Sequence, residues 1–126
     1  MRDLSVIQNK QGFICDMDGV VYHGNILLPG VSDFLNWLKS EKKDFLFLTN
    51  ASGRTPQDLK DKLGRMGLDV EEKHFYTSAQ ATAKFLDAQS PQCTAYVIGD
   101  PGLLNALFEV GVRFDDVNPD YVVVGE

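Results

Sequence analysis

The sequence predicts an α/β fold with parallel strands, and three observations carry that expectation. Two short, mostly apolar runs, Gly12-Phe13-Ile14-Cys15 and Phe45-Leu46-Phe47-Leu48, have strand length and strand composition. Between them Val31, Phe34, Leu35 and Leu38 recur at helical spacing. The alternation then restarts, with apolar runs at Ala95-Tyr96-Val97-Ile98 and Tyr121-Val122-Val123-Val124 and a helical pattern between them. A strand, a helix and a second strand in this order imply a right-handed crossover and parallel pairing.

Bulk properties fit one ordinary globular domain. The chain has 126 residues, 44% of them apolar and 24% charged. A formal charge of −6 argues against nucleic acid as the main partner. It does not exclude an anionic substrate, because a bound metal can invert the local field. No apolar run approaches the roughly 20 residues of a membrane helix. The start, Met1-Arg2-Asp3-Leu4-Ser5, has no signal-peptide core, so no membrane partner and a cytoplasmic location are expected. Cys15 and Cys93 are too few for a disulfide framework and read as reduced thiols.

Taken in order, residues 1–11 carry no clear signal. Gly12–Cys15 reads as a buried strand. Tyr22-His23-Gly24-Asn25 reads as a loop with His23 exposed, and Pro29-Gly30 as a turn. A helix is expected over about 31–40, with Lys39, Lys42 and Lys43 suiting its C-terminal dipole. After the strand 45–48, Thr55-Pro56-Gln57-Asp58 is a helix start: an N-cap, a proline at the first position and an acid in the first turn. Leu59, Leu63 and Met66 form that helix's buried stripe, Lys60, Lys62 and Arg65 its solvated face, and Gly67 its left-handed end. His74-Phe75-Tyr76-Thr77 is a third strand, with His74 structural or exposed. Ser78 is expected to cap a helix from Ala79 to about Gln89, stopped by Pro91. Gly99-Asp100-Pro101-Gly102 reads as a turn before a helix through Leu103, Leu104, Leu107 and Phe108 that closes at Gly111. The final strand, 121–124, has no following element to cover it.

The chemistry concentrates at two strand ends. Asp16 and Asp18 follow the first strand one residue apart, and Gly19 lets the backbone turn beside them. Carboxylates behind an apolar strand are costly to desolvate unless something offsets them. Hard oxygen ligands suit Mg²⁺. An acidic turn is the plainer alternative. Parallel pairing would bring Thr49-Asn50, at the end of the second strand, to the same sheet edge as Asp16 and Asp18, where open α/β sheets bind ligands. Those two small polar residues either hold the oxygens of an anion or simply begin a loop; the local sequence favours neither.

These residues also carry a resemblance. Asp16-Met17-Asp18-Gly19-Val20 resembles the first signature motif of the haloacid-dehalogenase-like (HAD) phosphatases, and Phe47-Leu48-Thr49-Asn50 the second. Leu28-Pro29-Gly30-Val31, Thr77-Ser78-Ala79-Gln80-Ala81-Thr82-Ala83 and the run from Asp116 to Glu126 resemble the NagD-like subgroup of sugar-phosphate and nucleotide phosphatases. The resemblance implies a Rossmann-like parallel sheet with an inserted α/β cap domain. Residues 1–91 would be the N-terminal part of the core, and 92–126 the incomplete start of the cap. It makes Asp16 the nucleophile and Asp18 the general acid and base. Asp16 and the backbone carbonyl of Asp18 would hold Mg²⁺, and Thr49 and Asn50 would bind the phosphoryl oxygens. It implies a small phosphorylated metabolite as partner, either a nucleoside monophosphate or a sugar phosphate, and allows a homo-oligomer.

The family also uses a lysine and further metal-binding acids from two later motifs. None of Lys60, Lys62, Lys73 and Lys84 fits the lysine's role, so the resemblance implies half a site within these residues and a silent 126-residue segment. A receiver-type signalling domain has similar length and architecture. It would need its acceptor aspartate at the end of the third strand, where this sequence has Thr77-Ser78.

Overall fold

The computed structural model describes residues 3–126 as two compact units, the first ending at Leu48 and the second running Thr49–Glu126. In the first, a short helix α1 (Ser5–Gln8) leads into β1 (Gly12–Asp16). A small antiparallel hairpin follows, β2 (Tyr22–His23) with β3 (Ile26–Leu27). Then come α2 (Val31–Ser40) and β4 (Asp44–Thr49). β1 and β4 pair in parallel over Gly12↔Asp44 to Asp16↔Leu48, as the crossover rule requires.

α2 buries Leu35 and Leu38, while its Phe34 and Trp37 rings meet Phe13 of β1 edge-on at 6.1 and 5.6 Å. Lys43 lies over the Trp37 ring at 5.7 Å, so this lysine has a packing partner as well as a place near the helix end. Two expectations are corrected here. Residues 22–25 are not all loop: they hold the first strand and the turn of the hairpin, because Gly24 at φ 62° supplies the tight reversal between His23 and Ile26. β1 is also not buried throughout: Ile14 is 70% exposed, since alternate side chains face opposite ways and α2 covers only the Phe13 side.

The second unit begins with α3 (Pro56–Arg65), a 3₁₀ turn (Glu72–His74) and β5 (Phe75–Thr77). It continues with α4 (Ser78–Gln89), β6 (Thr94–Ile98), α5 (Pro101–Glu109), β7 (Arg113–Phe114) and β8 (Tyr121–Val124). Thr55 and Asp58 form a reciprocal capping box at α3, with N–H to oxygen distances of 3.1 and 3.0 Å. Leu59 and Leu63 are buried, and Gly67 takes the left-handed φ of 94° that ends the turn. Lys60 and Lys62 are half-buried rather than on a fully solvated face; only Arg65 is open. His74 Nδ1 accepts the Glu71 N–H at 3.1 Å, a structural role as expected.

Two helix starts differ from the sequence reading. Thr77, not Ser78, caps α4, because its extended backbone lets its hydroxyl take the Gln80 N–H while the Gln80 side chain returns to the Thr77 N–H. Pro101 and Gly102 are the first turn of α5 rather than part of a turn before it; Asp100 is its extended N-cap and Pro101 is pre-set for the first helical position.

β6 is the centre of a parallel sheet ordered β7-β6-β8. One face, with Ala95, Val97, Tyr121 and Val123, packs against Ala79, Ala83 and Leu86 of α4 and Leu103, Ala106 and Leu107 of α5. Tyr96, Ile98, Val122 and Val124 point to the other face and are exposed. Leu107 has no solvent exposure at the middle of this cluster. Leu107→Ala should therefore lower stability by about 2–5 kcal/mol, read as an earlier urea midpoint with an unchanged slope. A loss under about 0.5 kcal/mol would mean that this cluster is not the core of the unit.

Candidate functional site

β1 delivers Asp16 to its last position, and the chain turns at once. Val20 and Val21 N–H both return to the Met17 carbonyl at 3.1 and 2.8 Å, and Gly19 takes φ 77°, a left-handed conformation that suits glycine. Met17 is fully buried and pins the turn, which leaves Asp16 and Asp18 exposed on either side of it. Asp16 Oδ1 accepts the Met17 N–H at 2.8 Å, fixing the carboxylate against its own turn. Gly19 N–H reaches the Tyr22 carbonyl at 2.9 Å and joins the turn to the hairpin.

Both acids are open to solvent. Water reaches them, so desolvation does not by itself demand a cation. What fits Mg²⁺ is the donor chemistry: carboxylate and backbone carbonyl oxygens in one tight turn, with water able to complete an octahedral shell. Among the described residues no cluster of three or more His, Cys, Asp and Glu side chains gathers, so Asp16 and Asp18 are a pair. The neighbouring Cys15 is half-buried, and burial pushes its thiol up, which disfavours the thiolate a cysteine nucleophile would need.

The second strand end is built as a held loop. Thr49 is 7% exposed, and its Oγ1 accepts the Ala51 N–H at 3.1 Å, which leaves its own O–H to donate. Asn50 presents its side chain to solvent while its carbonyl accepts Ser78 Oγ–H at 2.8 Å. Thr82 Oγ1 donates in turn to the Ser78 carbonyl at 2.8 Å. Asn50, Ser52, Ser78, Thr82, Gly125 and Glu126 line a cleft of about 280 Å³ with a part-apolar floor.

Of the four residues expected to carry chemistry, Asp16 and Asp18 are brought together by one turn and Thr49 and Asn50 by one loop. Ser78 was expected only to cap a helix, and its role as anchor of the Asn50 carbonyl was missed. A serine directly after a strand-end threonine is the signal that could have found it, because both hydroxyls fall where strand passes into helix. His23 is exposed, as the sequence suggests. No helix of the described residues is long and apolar enough to cross a membrane.

Comparison with known proteins gives a consistent result. Residues 13–113 match the model of the family described as haloacid dehalogenase-like hydrolase. The chain is 43% identical over 113 residues to the ribonucleotide monophosphatase NagD of Escherichia coli K12, covering 90% of this chain and 45% of that protein. It is 43% identical over 114 residues to the dihydroxyacetone phosphatase of Corynebacterium glutamicum, covering 90% and 42%. Among solved structures, the 4-nitrophenylphosphatase of Thermotoga maritima superposes with a TM-score of 0.89 at 38% identity, over 95% of this chain and 46% of that one. The chain thus spans about half the length of the relatives it matches.

Proposed function

The chain belongs to the haloacid dehalogenase-like hydrolase family, and from that premise we propose that it carries the nucleophile half of a Mg²⁺-dependent phosphomonoesterase. The observation that carries this reading is the strand register. β1 and β4 run parallel with Asp16 paired to Leu48; the acidic turn follows the carboxyl end of β1, and Thr49-Asn50 the carboxyl end of β4. The names of the relatives support phosphate ester chemistry.

In this reading Asp16 attacks phosphorus in line with the departing oxygen and forms an aspartyl phosphate, splitting one difficult hydrolysis into two easier steps. Asp18 gives its proton to the leaving alkoxide, then takes one from the water that cleaves the aspartyl phosphate. Thr49 O–H and the Asn50 amide donate to the non-bridging oxygens, holding phosphorus within reach of Asp16. Asp16 and the Asp18 carbonyl would hold Mg²⁺, which supplies charge neutralisation between the anionic nucleophile and the phosphate. Residues 1–91 serve as core, and 92–126 open a cap that contributes to substrate choice among nucleoside monophosphates and small sugar phosphates. The free thiols Cys15 and Cys93 suit the cytoplasm.

The test uses a fusion of residues 1–126 to the part of the Escherichia coli relative that this chain does not match. The fusion is expected to hydrolyse p-nitrophenyl phosphate with Mg²⁺, to lose at least about 100-fold in excess EDTA, and to recover when Mg²⁺ is restored. Full turnover in chelator would remove the metal from the reading. No turnover in a folded fusion under any metal would remove the phosphatase.

A further inference from the structure

We propose that Ser52, Gly102 and Gly125 form a latch that positions the Asn50 loop, so that the start of α5 and the end of β8 set where the phosphate-binding groups stand. The inference rests on the reading of Thr49 and Asn50 as phosphate-binding groups and goes beyond it to residues with no part in the chemistry.

Contacts converge on residues 52–54 from two elements. From α5, the Gly102 N–H donates to the Gly53 carbonyl at 3.2 Å. From the end of β8, the Glu126 N–H donates to Ser52 Oγ at 3.1 Å, and Ser52 is only 7% exposed. The two elements are themselves tied, because the Asp100 N–H donates to the Glu126 carbonyl at 2.8 Å.

The glycines show how close this packing is. A Cβ on Gly102 would lie 2.6 Å from Arg54 N and Gly53 C and 2.7 Å from Arg54 C, all backbone atoms that cannot swing aside. A Cβ on Gly125 would lie 2.8 Å from Ser52 Oγ, and one on Gly53 2.9 Å from Asp100 Oδ2. None of the three has a positive φ, so backbone freedom does not explain them. Close approach does. Gly102 is also the informative position because it lies in the first turn of a helix, where alanine is ordinarily at least as good a residue. Propensity predicts that Gly102→Ala tightens α5. The backbone contacts predict that it drives the Gly53-Arg54 peptide and α5 apart.

Residues 52–54 follow Asn50 by two to four positions. The loop is then held at two places, by Ser78 on the Asn50 carbonyl and by the latch on Ser52-Gly53. Releasing the second leaves Asn50 hinged on the first. The loss then falls on the hold the loop has on the phosphate, which is read in KM.

Limited trypsin digestion of the 126-residue chain reads the latch directly, because the Arg54–Thr55 bond lies in the held segment. Gly102→Ala should speed cleavage there by about tenfold, and Ser52→Ala by a smaller factor, while cleavage after Arg65 and Arg113 changes less than about twofold. Unchanged cleavage at Arg54 in both variants overturns the latch. An equal acceleration at all three sites also overturns it, since that is general destabilisation. In the fusion, Gly102→Ala should raise KM for p-nitrophenyl phosphate by about tenfold, with a smaller change in kcat. An unchanged KM with Arg54 freed overturns the positioning role. A wild-type fusion without turnover refutes the phosphatase reading instead, and the digestion still decides whether the latch exists.

Discussion

Asp16→Asn in the fusion should reduce phosphatase turnover by about 10⁴-fold or more, the scale seen when an enzyme's nucleophile is removed. The substitution keeps the shape of the side chain and the oxygen that accepts the Met17 N–H, so the turn through Gly19 should survive. What it removes is the anionic oxygen that attacks phosphorus. An amide oxygen is a far weaker nucleophile, and its charge cannot be restored by pH. The expected signature is therefore a flat loss across the pH range, with an unchanged thermal transition and no acid-stable, hydroxylamine-sensitive phosphate on the protein. Wild type mixed with substrate and quenched in acid should carry that label. Near-normal turnover in Asp16→Asn would refute the assignment, and a labelled residue other than Asp16 would move the nucleophile elsewhere.

Much of this architecture was legible because its signals are local. Val31, Phe34, Leu35 and Leu38 mark α2 by spacing alone, and the Thr55-Pro56-Gln57-Asp58 start of α3 is a cap, a preset φ and an acid within four residues. The parallel pairing of β1 with β4 followed from a chirality rule that depends on no single side chain. The misses have the opposite character. α1 has four residues and no buried side chain, so it leaves no stripe to read. β7 has two residues, both exposed, and is a strand only because β6 lies beside it. Gly102 looked like a turn glycine because sequence reports glycine's freedom and not the peptide packed against its Cα.

The acidic turn divides in the same way. Two carboxylates one residue apart after an apolar run were visible, and so was the glycine that closes the turn. Their exposure was not, because it depends on Met17 turning inward and carrying the backbone with it. Thr49 and Asn50 could not be told from an ordinary loop by local sequence. Their environment is set by Ser78, twenty-eight positions beyond Asn50, and by Ser52 meeting Glu126 across seventy-four.

Asp18→Asn should separate the two steps, and its effect should depend on the leaving group. As general acid, Asp18 matters most when the departing oxygen is a poor leaving group. An alkyl or sugar phosphate should then lose about 10³–10⁴-fold, near the upper range for general acid–base catalysis. p-Nitrophenolate departs readily as an anion and needs little protonation. The first step with that ester should fall much less, and Asp16 should still become phosphorylated. The second step still lacks its base, because an asparagine cannot take a proton from water. Aspartyl phosphate should accumulate, giving a burst of p-nitrophenol about equal to the enzyme present, followed by slow steady turnover. The wild type should show no such dependence of the rate on leaving group if protonation keeps pace. Rapid-mix kinetics on the two esters decides the matter. An equal loss on both, with no burst, would mean that Asp18 serves the site through the fold of the turn and not through its proton.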